Sequence, residues 1–210
     1  MSSHIPLFPL GLVVYPHENL NLHIFEPRYR QLVNDAVEGK TTFGVPLFIN
    51  NKLKGYGTEM SIVSIDKKYE DGRMDIKTRG VRIFRIIDFQ NPFRDKLYAG
   101  GEVEWLLNED DDEEINPELI RLVQKLYDIM KVNVSLDTTD GQPFSFKIAH
   151  KIGLSVHEEY ELLTIETEQA RQQKVIDHLY RIIPTLIEIE RTKEIIKMNG
   201  HFKNLDPLNF

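Results

Sequence analysis

The stretch from Leu20 to Val37 constrains the fold most, because a strand period and a helix period meet within it. Leu20, Leu22 and Ile24 alternate with Asn21 and His23, the two-residue period of a strand with one buried face. Glu26-Pro27 ends that pattern, since proline cannot donate to a ladder and biases the residue before it away from the helix. Pro27 then suits the first position of a helix, where a missing N–H costs nothing. Tyr29, Leu32, Val33, Ala36 and Val37 follow at helical spacing, predicting an amphipathic helix with its apolar side in the core. Gly39 is the expected C-terminal cap.

The rest of the first half repeats the strand period. Phe43, Val45 and Leu47 alternate, and Asn50-Asn51-Lys52 is a turn signal. Met60-Ser61-Ile62-Val63-Ser64-Ile65 reads as a strand, and Asp71-Gly72 as a hairpin turn before Met74, Ile76 and Thr78. Two further β-rich runs cover 80–89 and 99–106. About six strands joined by turns predict a small barrel-like sheet. The pairs Gly55/Gly57 and Gly100/Gly101 read as bends or bulges rather than ligand loops.

At residues 108–114 the composition changes to Asn-Glu-Asp-Asp-Asp-Glu-Glu. Like charges repel and stay hydrated, so 108–115 is expected to be a solvated linker. The run lacks the central glycine and terminal glutamate of a calcium loop. Beyond it the period is helical. Asn116-Pro117 opens a helix with Leu119, Leu122, Val123, Leu126 and Met130 on one face. A polar connection covers 137–142, and a short helix is expected over 144–152. Ser155-Val156-His157-Glu158 has the form of a capping box. A long helix begins near Thr167, and Pro184 inside it is expected to kink or interrupt it. The expected organisation is a β-rich part over 1–107, a linker over 108–115 and a helical bundle over 116–210. The fold class is α+β, a β pseudo-barrel with one helix followed by a C-terminal helical bundle.

Composition narrows the functions. The net charge of −7 over 210 residues disfavours a primary nucleic-acid binder. No cysteine is present, which excludes disulfides, thiol catalysis and cysteine-ligated metal. No segment approaches the ~20 apolar residues of a membrane span, and no signal peptide is recognised, so the expected location is cytoplasmic. The sequon Asn133-Val134-Ser135 is therefore read as chance.

Motifs that suggest chemistry fail on context. Glu38-Gly39-Lys40-Thr41-Thr42 resembles the end of a phosphate-binding loop, but the leading glycine position is Asn34, inside the predicted helix. His157-Glu158 begins a zinc motif whose second histidine is replaced by Glu161. Neither a cofactor nor a metal is expected, and no nucleophile has a sequence context that activates it. Arg79-Gly80-Val81-Arg82-Ile83-Phe84-Arg85 is the one basic run with aromatic interleaving. Alternation puts Arg79, Val81, Ile83 and Arg85 on one face and Arg82 and Phe84 on the other.

Leu7-Phe8-Pro9-Leu10, Val13-Val14-Tyr15-Pro16 and Ile24-Phe25-Glu26-Pro27-Arg28-Tyr29 together resemble the opening of the N-terminal, substrate-binding domain of Lon proteases. The second half is also similar, through Phe144-Ser145-Phe146-Lys147-Ile148-Ala149, loosely through Glu158-Glu159-Tyr160-Glu161-Leu162-Leu163, and through Arg171. The resemblance runs over roughly residues 4–190 and implies a PUA-like pseudo-barrel followed by helices. It implies capture of unfolded or peptide segments without catalysis, since neither the ATPase nor the Ser-Lys protease module of Lon is recognised here. The contact residues expected from it are Phe25, Glu26, Arg28 and Tyr29, with Arg82 from the basic run. Glu26 and Arg28 have a second expected role, as a buried pair fixing the two parts. The groove between strands and helices, or an exposed strand edge, is the expected seat. The alternative is an adaptor that docks onto a separate protease, chaperone or ligase. A PUA-like RNA-binding module comes after that, and a membrane partner is not expected.

Overall fold

The computed structural model describes residues 2–106, 114–133 and 142–201. Its elements are β1 (Ser2–Leu7), β2 (Asn19–Ile24), α1 (Pro27–Gly39), β3 (Phe43–Ile49), β4 (Lys52–Lys68), β5 (Met74–Gln90), β6 (Ala99–Trp105), α2 (Pro117–Met130), α3 (Phe144–Ala149), α4 (Val156–Leu163) and α5 (Glu168–His201). They divide into two units. The first holds all six strands with α1, α3 and α4, and the second holds α2 and α5 from Gln172 onward.

The sheet closes because β5 is long enough to serve two partners on one edge. It pairs with β2 from Met74 to Arg79 and with β6 from Phe84 to Gln90, while β4 runs along its other edge. The order β2-β5-β4-β3-β1-β6, with β6 returning to β5, makes a barrel of five strands with β2 appended. The parallel β1–β3 contact is short, and the chain continues it through Leu10, which bridges Leu47. Ile5, Leu7, Phe84 and Val103 fill the interior, with Ile86 and Trp105 packed against them. Strands cross so closely that some positions admit no side chain. A Cβ at Gly101 would lie 2.0 Å from the Asp88 carbonyl oxygen, and one at Gly57 would lie 2.5 Å from that of Val45. Of the expected bends, Gly57 and Gly101 are thus close backbone approaches, whereas Gly100 faces the Phe93 ring and Gly55 is open.

The second core of the unit lies under α1. Tyr29, Leu32 and Val33 pack with Phe8, Val14, Ile24, Phe43, Val45, Met60, Met74 and Ile76. Phe8 and Tyr29 stack with centroids 3.8 Å apart. Val37 is 44% exposed, at the margin of the apolar face. The cap also differs from expectation. Gly39 is the last helical residue, and Lys40 takes the left-handed conformation at φ 49°. Gly39-Lys40-Thr41 therefore follows a helix C-terminus, where carbonyls point outward and an anion is repelled. A phosphate loop needs the opposite helix end.

Helices α3 and α4 belong with the strands, whereas the sequence groups them with the bundle. Aromatic contacts account for this. Tyr15 stacks on Phe146 at 4.6 Å and donates to the Glu159 carbonyl at 3.1 Å. The Tyr56 N–H donates to the Tyr160 hydroxyl at 3.2 Å. Ser155 and Glu158 form the expected capping box at the start of α4.

In the second unit, Asn116 caps α2 by accepting from the Glu118 N–H. Leu119, Leu122, Val123, Leu126 and Tyr127 are buried, whereas Met130 is 50% exposed. Val175, Ile176, Leu179 and Ile183 of α5 are buried too. The helix runs through Pro184 rather than breaking there. Proline leaves the carbonyl of Tyr180 without its helical donor, on a residue that is itself exposed. The acidic run at 108–113, the sequon beyond Asn133, most of the 137–142 connection and the last nine residues lie outside the described residues.

Candidate functional site

The expected contact residues fall in two places. Phe25 is 60% exposed after β2, with its ring 6.2 Å from that of His23. Glu26 and Arg28 do pair, at 2.7 Å, but both are substantially exposed and two residues apart in the chain. The buried pair fixing two parts of the molecule is therefore corrected to a local surface pair, which adds little stability. Tyr29 is buried against Phe8 with the Arg28 guanidinium over its ring at 4.6 Å, so it is a core residue. Phe25 is the member of this motif with a large free apolar surface.

Arg82 lies on β5, eight residues beyond Met74, the partner of Ile24. At ~3.3 Å per residue this is roughly 26 Å along the strand. Its surroundings follow from a β-bulge. Thr58 and Met60 are two apart on β4 but face Ile83 and Gly80, three apart on β5. The extra residue falls at Val81–Arg82, which are both exposed, whereas Ile83 and Phe84 beyond it are both buried, so exposure does not alternate there. Arg82 then donates to Glu59 at 2.6 Å and lies 3.7 Å from the Trp105 ring centroid. Glu59 is buried and also accepts from the Thr42 hydroxyl.

Trp105 leads to a groove of about 520 Å³ within the first unit, lined by Tyr56, Arg85, Glu104, Trp105, Leu106, Glu166 and Thr167. Barrel register builds most of it. Tyr56 faces Arg85, and Arg85 faces Glu104 across adjacent strands, so three side chains share one rung. Trp105 belongs to the interior row and sits edge-on to Phe84 at 6.3 Å. Arg85 and Glu104 form an ion pair at 2.6 Å. This hydrogen bond holds the Glu104 carboxyl below its usual range and pushes the Arg85 guanidinium up. The remaining wall is the connection from α4 to α5, anchored from below by a buried cluster. Glu168 accepts from the Ser145 N–H at 2.9 Å and from its hydroxyl at 2.5 Å. Arg171 donates to Glu168 at 2.9 Å and to the carbonyls of Ile165 and Glu166 at 2.9 and 3.0 Å. Its guanidinium lies 4.4 Å from the Phe146 ring centroid. Two sequence marks far apart in the chain, Ser145-Phe146 and Arg171, thus converge to hold Glu166 and Thr167 at the groove.

A histidine cluster fixes the same helices to the barrel. His150 lies 2.7 Å from Glu159 and 3.2 Å from Glu18. Hydrogen bonding to Glu18 leads in raising its pKa to about 9, burial opposes the rise, and Glu159 adds to it. Among the described residues no group of three His, Asp or Glu side chains is arranged to hold a metal, and no helix is long and apolar enough to cross a membrane.

The structure of a Lon N-terminal domain protein from Xanthomonas campestris is similar, with a TM-score of 0.67 and 29% identity, covering 83% of this chain and 98% of that one. The N-terminal domain of a Mycobacterium avium complex Lon protease shares the fold, with a TM-score of 0.64 at 14% identity, covering 85% and 98% of the two chains. The family model for the ATP-dependent protease La (LON) substrate-binding domain matches residues 4–181. This chain belongs to that family. A LON peptidase N-terminal domain and RING finger protein of Schizosaccharomyces pombe is 28% identical over 108 residues, 42% of this chain. The chain spans only 22% of that relative's length.

Proposed function

We propose that this chain captures exposed segments of other proteins in the groove lined by Tyr56, Trp105 and Leu106, and that it does so without catalysis. The observation that carries the reading is the pairing of a half-open cavity with two aromatic walls and one ion pair. Tyr56, Trp105 and Leu106 offer apolar contact, and Arg85, Glu104, Glu166 and Thr167 beside them offer polar partners, which suits capture of a side chain and its backbone. The family, a substrate-binding domain, agrees with a substrate-binding role. Arg82 supports the groove from behind by holding the Trp105 ring, while Phe25 offers a separate apolar contact. RNA is a poorer ligand, because Arg82 and Arg85 are each neutralised by a carboxylate. The test is anisotropy of a labelled, permanently unfolded polypeptide titrated with the wild type and with Leu106→Arg, which charges the groove at a partly exposed position. Binding that weakens at least about fivefold supports the reading; equal binding rejects the groove as the seat.

A second reading has its own observation. Ile187, Ile189, Ile195 and Ile196 of α5 are all exposed, which suits an adaptor that docks onto a separate protease, chaperone or ligase through this helix. It predicts one stoichiometric partner, lost on Ile189→Lys with Ile196→Lys. A heterogeneous set of unfolded clients unaffected by that double substitution favours the groove.

A further inference from the structure

We infer that the groove selects segments carrying a basic side chain, arginine ahead of lysine, with Glu166 as the residue that reads the charge. This rests on the reading of the groove as the capture site. Charge within it does not balance. Arg85 and Glu104 neutralise each other at 2.6 Å, which leaves Glu166. Among the described residues its carboxylate has neither ion pair nor side-chain hydrogen bond, and only its backbone carbonyl is engaged, by Arg171. The buried Arg171–Glu168 cluster fixes that backbone, so Glu166 is presented from a rigid connection rather than from a free loop.

The walls suit a cation as well. An aromatic face attracts a guanidinium or ammonium, most strongly when the pair is partly desolvated. This corner of the barrel already stacks two of its own cations on rings, Arg82 over Trp105 at 3.7 Å and Lys54 over Tyr160 at 5.8 Å. Tyr160 in turn meets Tyr56 edge-on at 6.4 Å. Tyr56 itself carries no cation among the described residues and lines the groove together with Glu166. A planar guanidinium entering there stacks on the Tyr56 ring and pairs with the Glu166 carboxylate. A lysine makes the same charge contact without the planar stack. The net charge of −7 favours encounter with basic segments over acidic ones.

The test uses short, tryptophan-free peptides with a Leu-Arg-Leu centre and their citrulline counterparts, which keep the shape and remove the charge. Both are titrated against wild type and Glu166→Gln, with anisotropy of a labelled peptide as readout. The wild type is expected to bind the arginine peptide about 3- to 10-fold more tightly, a ratio suited to one half-exposed ion pair with a ring contact. In Glu166→Gln the ratio falls to within twofold while the citrulline peptide binds as before. Equal binding of both peptides by the wild type overturns the basic preference and leaves segment capture standing. A preference that survives in Glu166→Gln overturns the assignment to Glu166. If neither peptide binds, the capture reading beneath the inference fails with it.

Discussion

Replacing Glu168 by alanine tests whether the connection that lines the groove is held by the buried cluster. Glu168 and Arg171 are 1% and 0% exposed, so the loss strands a guanidinium in a site without solvent. It also removes the acceptor of the Ser145 N–H and hydroxyl. Breaking a buried pair from one side costs about 3–5 kcal/mol, because the remaining charge is uncompensated. For a chain of this size each kcal/mol lowers Tm by about 2–4 °C, so a drop of roughly 6–20 °C is expected. Urea unfolding followed by emission of Trp105, the one tryptophan, reports on the unit that contains the cluster. The double variant Glu168→Leu with Arg171→Met removes both charges and is expected to be more stable than Glu168→Ala alone. A single-variant loss below about 1 kcal/mol, or a double variant less stable than the single, refutes the reasoning.

Other sites give further expectations. His150 has its folded pKa raised from 6.5 to about 9, so its contribution is complete below pH 6.5 and is lost as pH rises through 9. Its side chain is 35% exposed, and screening reduces the effect to about 1 kcal/mol; urea midpoints across this window should fall in the wild type and stay flatter in His150→Gln. Tyr15→Phe removes the hydroxyl donor to Glu159 but keeps the stack on Phe146, and should cost about 0.5–1.5 kcal/mol by the same assay. Gly101→Ala sets a Cβ against the Asp88 carbonyl and should cost about 3 kcal/mol or more, read as loss of folded protein by near-UV circular dichroism.

Much of the barrel was legible because its strands obey the two-residue period and α1 the helical one. Leu20–Ile24 and Tyr29–Ala36 were read correctly, as were the cap at Asn116 and the capping box at Ser155. What escaped depended on contacts distant in sequence. The bulge at Val81–Arg82 shifts the register of β5 on β4, since an inserted residue changes phase without any marker in composition. Helices α3 and α4 were grouped with the bundle because helical period says nothing of what a helix packs against. Tyr15 and Phe146, 131 positions apart, decide that. The groove was hidden for the same reason. Tyr56, Arg85 and Glu104 come together through barrel register, and Glu166 and Thr167 through the Glu168–Arg171 pair. The single tryptophan is the one sequence signal that marks the groove. The Phe25–Tyr29 motif is dense, yet Tyr29 serves the core and Glu26 pairs locally with Arg28.

The central claim is most directly tested by Trp105 emission during titration with a tryptophan-free, permanently unfolded polypeptide. The account predicts a saturable change in emission that Leu106→Arg abolishes. Binding by an independent readout, with Trp105 emission unchanged, would contradict it.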